Sequence, residues 1–214
     1  MWSLFKKIFG GLKKSSSEPG HSALLPQDID KLRNEFSAKE ELDGPGGAIT
    51  AHEAFELAVE IITSFDEDAR LTKIESCGRL ESNGRCQGWT FTFVLPNRWG
   101  HARFVFSCTG QDESVTVTLH PYAAAGSAMD RMLQEGQEGF VQQQWDILMG
   151  REPSLSHRFL DSSEVLQRWA GSGKRVDFNL GPVLQAITPP LGKPRWELLE
   201  NPNSKKSLYN HPIE

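Results

Sequence analysis

The strongest constraint on the fold is a set of segments in which apolar and polar residues alternate along the chain. In the clearest of them, Trp89, Phe91 and Phe93 alternate with Thr90 and Thr92. A repeat of two residues is typical of a β-strand that buries one face in an antiparallel sheet. Turn residues separate the segments, so neighbouring strands can pair as hairpins. The predicted strands are 71–77, 88–95, 102–108 and 114–120.

A helix that can cover the aromatic face of this meander begins at Thr50. Thr50 and Glu53 have the S/T-x-x-E spacing of a capping box, in which each side chain hydrogen-bonds the backbone of the other residue. Apolar residues then recur at helical spacing until Asp66. They are Ala54, Phe55, Ala58, Ile61, Ile62 and Phe65. The sequence therefore predicts an α+β fold in which a helix packs on an antiparallel β-meander.

The second half of the chain carries a weaker version of the same pattern. Asp161 and Glu164 repeat the capping-box spacing, and Trp196 follows Trp89 by 107 residues. Two successive units of a helix and a Trp-containing strand indicate an internal duplication, with a degraded second copy. The tail after residue 200 is polar and is predicted to be irregular.

A second helical stretch is predicted between the two units, at residues 127–149. Gly136 and Gly139 should weaken or kink it, and Gly150 should cap its end. The predicted organisation of the chain is an N-terminal amphipathic addressing helix at 1–14, a linker with a short helix at 15–46, a first helix-plus-meander unit at 47–125, a connecting helix at 126–150, a second unit at 151–200 and an irregular tail at 201–214.

The first unit resembles the PepSY-type repeat. The resemblance lies in Thr50-Ala-His-Glu-Ala-Phe-Glu-Leu-Ala58 and in the later Gly88-Trp-Thr-Phe element, which match a Thr/Ser-x-x-Glu-Ala helix start and a Gly-Trp strand. It implies a cystatin-like fold with a helix on a sheet. Many bacterial members of that family are attributed inhibitory, propeptide-like or sensory roles, so the resemblance implies a binding module rather than an enzyme.

The pattern that bears on function lies in the first fourteen residues. On a helical wheel its apolar residues fall on one arc and its lysines on the other, and no acidic residue interrupts the segment. The apolar arc holds Trp2, Leu4, Phe5, Ile8, Phe9 and Leu12, and the polar side holds Lys6, Lys7, Lys13 and Lys14. Such segregation is typical of a helix that lies in a membrane interface and meets anionic headgroups.

Two other kinds of membrane segment are not expected here. A transmembrane span needs roughly 20 apolar residues, and Lys6 and Lys7 interrupt this segment. The uninterrupted apolar stretch and the small-residue cleavage site of a secretory signal are also missing. Three destinations stay open for the helix, namely an anionic membrane surface, a partner protein, and its own body or a sister subunit. The sequence favours the membrane and a cytoplasmic, peripheral location.

Charge separates the N-terminal segment from the rest of the chain. The net charge is -5, and the four lysines at the N-terminus leave -9 on the remaining residues. Because nucleic-acid binding needs a basic surface, that class of partner is not expected. No cofactor and no metal site is predicted, since the cysteines and histidines lack ligand spacing.

The cysteines leave one enzymatic alternative open. Cys77, Cys86 and Cys108 contain no C-x-x-C motif, and they are predicted to be reduced thiols rather than to include a Cys77–Cys86 disulfide. A cysteine-dependent hydrolase or transferase would need Cys108 near His101 or His120. Cys108, however, shares the phase of the buried aromatic residues of its strand, which predicts a core position.

Trp99 is a candidate interface residue, because it lies in a predicted hairpin turn and large aromatic side chains in turns often anchor interfaces. The alternative is that Trp99 folds back over the edge of the sheet.

Overall fold

The computed structural model describes residues 40–41, 47–109, 112–151, 153–189, 192–204 and 207–213. The helices are α1 (Ala51–Phe65), α2 (Ala128–Gln134), α3 (Glu138–Arg151) and α4 (Ser162–Gly171). The strands are β1 (Glu40–Glu41), β2 (Arg70–Ser76), β3 (Gly88–Leu95), β4 (Gly100–Thr109), β5 (Asp112–Pro121), β6 (Val183–Ile187), β7 (Arg195–Leu199) and β8 (Ser207–Pro212).

All of these strands belong to one antiparallel sheet, in the order β1-β5-β4-β3-β2-β6-β7-β8. Strands β2 to β5 form the predicted meander, with β3 at the predicted bounds. Strands β6 to β8 form a second meander. The two meet where β2 pairs with β6, with Ile74 opposite Ala186. The prediction of an α+β fold with an antiparallel sheet is confirmed.

The larger core lies on the aromatic face of the sheet, under α1 and α4. Trp89, Phe91 and Phe93 of β3 are almost completely buried there. Phe55 of α1 stacks parallel to Phe93, with the ring centroids 6.4 Å apart. Trp196 of β7 is buried in the same cluster, so residues of both meanders share one core.

A smaller core lies on the opposite face, under α3. Val94 follows Phe93 in β3 and therefore points to the other side of the sheet. It packs with Trp99, Val141 and Trp145. The indole N–H of Trp145 donates to the carbonyl of Pro96 at 3.1 Å, which holds α3 against the β3–β4 turn.

The connection between the meanders differs from the prediction. The expected single helix is divided into α2 and α3, because Gly136 takes a left-handed conformation with φ of 76° that ends the first one. Gly150 lies inside α3, which continues to Arg151, so the predicted cap at Gly150 is wrong.

The tail also differs from the prediction. The tail was expected to be irregular, yet it contains β8 at the edge of the sheet. Ile213, just after β8, is 4% exposed, so burial of this side chain in the larger core holds the tail in place. The short helix expected in the linker lies mostly outside the described residues, and within the linker Glu40–Glu41 pair with β5. No helix in the described ranges is long and apolar enough to cross a bilayer.

Candidate functional site

The predicted membrane-binding or partner-binding residues, Trp2 to Lys14, lie outside the described residues. The predicted interface residue Trp99 lies within them and is buried, with 8% of its surface exposed. It adopts a left-handed backbone with φ of 47°, which turns its side chain under α3 into the smaller core. Trp99 is therefore not an exposed interface residue. It is folded back against the sheet, which is the alternative position that the sequence left open.

The cysteine and histidine pair of the enzymatic alternative is not assembled around Cys108. His101 and His120 do face each other across β4 and β5. Cys108 is seven positions beyond His101 on β4, which separates them by roughly 23 Å, and their side chains point to opposite faces. Cys108 is buried in the larger core, as its phase predicted.

The other two cysteines flank the hairpin between β2 and β3. Both are free thiols, and the Cys86 thiol donates to the carbonyl oxygen of Cys77 at 3.7 Å. Burial raises the pKa of Cys86 to about 11 and also raises the pKa of Cys77. Because the thiolate is the reactive form, these positions are unreactive at neutral pH.

The N-termini of α1 and α4 meet each other in an interior junction. The backbone N–H of Ala51 donates to the Ser162 hydroxyl oxygen at 2.9 Å, and that of His52 donates to an Asp161 carboxylate oxygen at 2.9 Å. The Ser162 hydroxyl in turn donates to the carbonyl of Gly84 at 2.7 Å. Residues at the start of α4 thus satisfy backbone groups at the start of α1 that a helix leaves unpaired.

Gly84 belongs to this junction for a steric reason. Its backbone is left-handed, with φ of 87°, and a Cβ atom there would collide with the backbone of Ser162 and Ser163. The tip of the β2–β3 hairpin therefore reaches α4 only because residue 84 has no side chain.

Electrostatics at the junction favour an ionised Asp161. Burial raises the pKa of Asp161, but hydrogen bonds from the His52 N–H and the Ser163 hydroxyl outweigh burial, so the net pKa is lowered. The carboxylate sits at the positive ends of two helix dipoles, which stabilises its charge further. The junction already contains its own anion and serves to hold the two helices together.

A row of polar side chains crosses the face of the sheet opposite the larger core. Glu75 of β2 is opposite Gln185 of β6, and Gln185 is opposite Glu197 of β7. Lys73 pairs with Glu75 at 2.6 Å, and Gln185 donates to Glu197 at 3.0 Å. Arg195 pairs with the other Glu197 oxygen at 2.7 Å, which compensates the buried charge of Glu197.

A cleft with a volume of about 450 Å³ opens where β7 begins and β8 ends, lined by residues 193–195 and 210–213. We call it the basic cleft, because Lys193, Arg195 and His211 line it. Arg168 of α4 adjoins it, with Nη1 3.2 Å from Nε2 of His211. In the described part of the chain, the only one of these four groups that forms an ion pair is Arg195.

The orientation of His211 fixes its tautomer. An arginine can only donate, so Nε2 of His211 accepts from Arg168. The Pro212 carbonyl can only accept, so Nδ1, which lies 2.8 Å from it, carries the proton.

Sequence reasoning identified neither the junction nor the basic cleft. The capping box at Asp161 was recognisable, but its bond to His52 joins residues 109 positions apart. The cleft lies between Lys193 and the tail strand β8, and the sequence of β8 does not show the alternation of apolar and polar residues that predicts a strand. Among the described residues, no group of three or more His, Cys, Asp or Glu side chains is arranged to hold a metal ion.

Comparison with known proteins gives no relative for this chain: no protein-family model, no curated protein and no solved structure matches it.

Proposed function

We propose that the protein is a non-enzymatic adaptor or regulatory binding module that attaches peripherally to the cytoplasmic face of a membrane through residues 1–14. The observation that carries the proposal is the separation of six apolar residues from four lysines in that segment. A helix with this pattern buries its apolar side at the headgroup boundary while its ammonium groups meet anionic lipids.

The charge of the remaining chain explains why the lysines matter. The body carries -9 and is repelled by an anionic surface, so attraction must come from the N-terminal segment. Each lysine near such a surface contributes about 1 kcal/mol. The four together supply about 4 kcal/mol, which falls as salt is added.

We also propose that the body is a tandem of two PepSY-like units. The indole N–H of Trp89 donates to the carbonyl of Ile49 at 2.9 Å, and that of Trp196 donates to the carbonyl of Leu160 at 3.0 Å. Each acceptor directly precedes the N-cap of the helix in its own unit. Equivalent bonds at equivalent positions support a duplication, and they fit a module whose role is binding.

The membrane proposal is tested by co-sedimentation of the full chain with vesicles of phosphatidylcholine and phosphatidylserine. Replacing Lys6, Lys7, Lys13 and Lys14 by Gln should weaken binding by at least tenfold at low salt, since roughly 4 kcal/mol of attraction is removed. The matched control replaces four exposed arginines of the body by Gln. These are Arg79, Arg131, Arg151 and Arg158.

The control removes the same number of cations and should bind the vesicles at least as well as the unaltered chain does. The quadruple lysine variant should not. Equal, weak pelleting of the unaltered chain and the lysine variant would overturn membrane attachment.

The alternative, docking of the same helix in an apolar groove of a partner protein, predicts little effect of the lysine changes. It predicts instead that replacing Leu4, Ile8 and Leu12 by Ser abolishes capture of the partner.

A further inference from the structure

We infer that the loop after α4, residues 172–181, is a second membrane contact, which turns α4 and β8 toward an anionic lipid surface. The inference rests on the attachment through residues 1–14 proposed above and adds the orientation of the body. Its first support is the distribution of charge. Residues 15–150 hold 10 basic and 21 acidic residues, whereas residues 151–214 hold 9 basic and 7 acidic ones. An anionic surface therefore repels the first of these parts and attracts the second.

Two cations at the end of α4 are connected through aromatic rings of β8. Arg168 Nη1 lies 3.2 Å from Nε2 of His211, and the His211 ring centroid lies 6.1 Å from that of Tyr209. Lys174 Nζ lies 5.7 Å from the centroid of the Tyr209 ring and donates to a backbone carbonyl of β8 at 3.1 Å. Both rings are opposite core residues of β7, so this row of contacts lies on the face of the sheet that α4 covers.

The exposed cations at the end of α4 are not neutralised by carboxylates in the part of the chain that the structure describes. Arg168, Lys174 and Arg175 are exposed, and no ion pair within the described ranges includes them. The nearest carboxylates in the sequence, Glu164 and Asp177, each accept from a backbone N–H, at 3.3 Å and 2.9 Å. The three cations are therefore available to the headgroups of anionic lipids.

The same loop presents an apolar side chain to solvent. The loop leaves α4 with Lys174 and returns to the last turn of the helix at Phe178, whose ring centroid lies 5.7 Å from that of Trp169. Leu180, two residues later, is 59% exposed, more than the other exposed large hydrophobic side chains of the described residues. An exposed leucine in one short loop with exposed cations provides both an apolar side chain for the headgroup boundary and charges for the headgroups.

The test places an environment-sensitive fluorophore on the full chain at residue 180 through the variant Leu180→Cys. Labelling at neutral pH is selective for the new thiol, because the three native cysteines are buried or half-buried. The matched control is Phe140→Cys, at a side chain of α3 that is 44% exposed and lies in the acidic part of the chain. On vesicles of phosphatidylcholine and phosphatidylserine, we expect the emission at residue 180 to shift to the blue and to gain intensity. The emission at residue 140 should stay unchanged.

A second pair of variants tests the charges of the loop. Lys174→Gln with Arg175→Gln should weaken vesicle binding by at least fivefold at low salt, since each cation near an anionic surface contributes a factor of about five. The matched control is Arg103→Gln with Arg131→Gln, two exposed arginines of β4 and α2. It removes the same charge and should bind as the unaltered chain does. An equal loss in the two double variants, or an equal response of the labels at residues 180 and 140, would overturn the inference.

Failure of this inference and failure of the membrane attachment give different results. If the unaltered chain pellets with the vesicles and the label at residue 180 does not respond, the orientation alone is wrong. If the unaltered chain does not pellet and the label does not respond, attachment and orientation are both wrong. A response at residue 180 that persists after Lys6, Lys7, Lys13 and Lys14 are replaced by Gln would support the loop contact and count against attachment through those lysines.

Discussion

Asp161 is the residue on which the relative position of α1 and α4 depends most. Asp161 is the N-cap residue of α4, and its carboxylate also accepts a hydrogen bond from the His52 N–H at the start of α1. A residue that caps one helix typically contributes 0.5 to about 2 kcal/mol. Asp161 satisfies donors of two helices at once, so its contribution should exceed that of an ordinary cap.

We predict that Asp161→Ala lowers the free energy of unfolding by about 2–3 kcal/mol, measured by urea denaturation. The matched control is Asp177→Ala. Asp177 accepts from the Asn179 N–H at 2.9 Å and caps only one short 3₁₀-helix. The control should cost less than about 1 kcal/mol. Equal losses in the two variants would show that the bond between the helices contributes nothing.

The stabilisation by Asp161 should depend on pH in a defined direction. Its pKa in the folded protein is lowered from the ordinary value of 3.8. A carboxyl group with a lowered folded pKa stabilises the fold above its unfolded pKa, and the stabilisation is lost as pH falls through the folded pKa. The difference in unfolding free energy between the unaltered chain and Asp161→Ala should therefore be constant near neutral pH and shrink below about pH 4.

The tryptophans give a second prediction at the scale of single residues. Trp89→Phe and Trp196→Phe should each remove one indole hydrogen bond and leave a carbonyl without its donor, at a cost of about 1–3 kcal/mol beyond lost packing. The control is Trp169→Phe, since the buried Trp169 N–H has no hydrogen-bond partner among the residues that the structure describes. Losses in urea denaturation should be similar for the first two variants and smaller for the third. A loss for Trp169→Phe as large as the others would contradict the assignment.

At the scale of elements, strands with strong alternation were predictable and the edge strand was not. The bounds of β3 follow from the pattern at Trp89, Phe91 and Phe93, and α1 follows from its capping box. β8 is polar along most of its length, and it forms because β7 offers a partner and the core accepts Ile213. Local sequence does not encode such a partner. The sequence left two positions open for Trp99, exposed in a turn or folded back over the sheet, because the outcome depends on where α3 packs.

We predict that Ile213→Ala destabilises the protein by about 2–4 kcal/mol, because a large side chain that is 4% exposed is removed from the core. Its backbone carbonyl also accepts from the Leu160 N–H at 2.7 Å, so the tail is held to the segment before α4 as well. The control is Leu180→Ala, at a side chain that is 59% exposed, which should change stability by less than about 0.5 kcal/mol. Thermal unfolding of both variants checks this, and an unchanged midpoint for Ile213→Ala would mean that the tail is not anchored.

At the scale of the whole molecule, the two meanders are held together by strand pairing, by hydrogen bonds between their helices and by a common core. β2 and β6 pair in the middle of the sheet, and the amide of Leu184 in β6 donates to the Ser76 hydroxyl of β2 at 2.9 Å. The helices of the two units are joined through Asp161 and Ser162. The larger core contains side chains from both meanders and from both helices, so neither unit can open without exposing apolar surface of the other.

We therefore predict that the full chain unfolds in one cooperative transition. Urea denaturation followed by tryptophan fluorescence and by far-UV circular dichroism should give coincident curves, because fluorescence reports on Trp89 of β3, Trp145 of α3 and Trp196 of β7, and dichroism reports on all the helices. Asp161→Ala should move both curves together. If the second unit instead unfolds first, the dichroism curve will show a separate step at lower urea, and the shared core will be shown to contribute less than the packing within each unit.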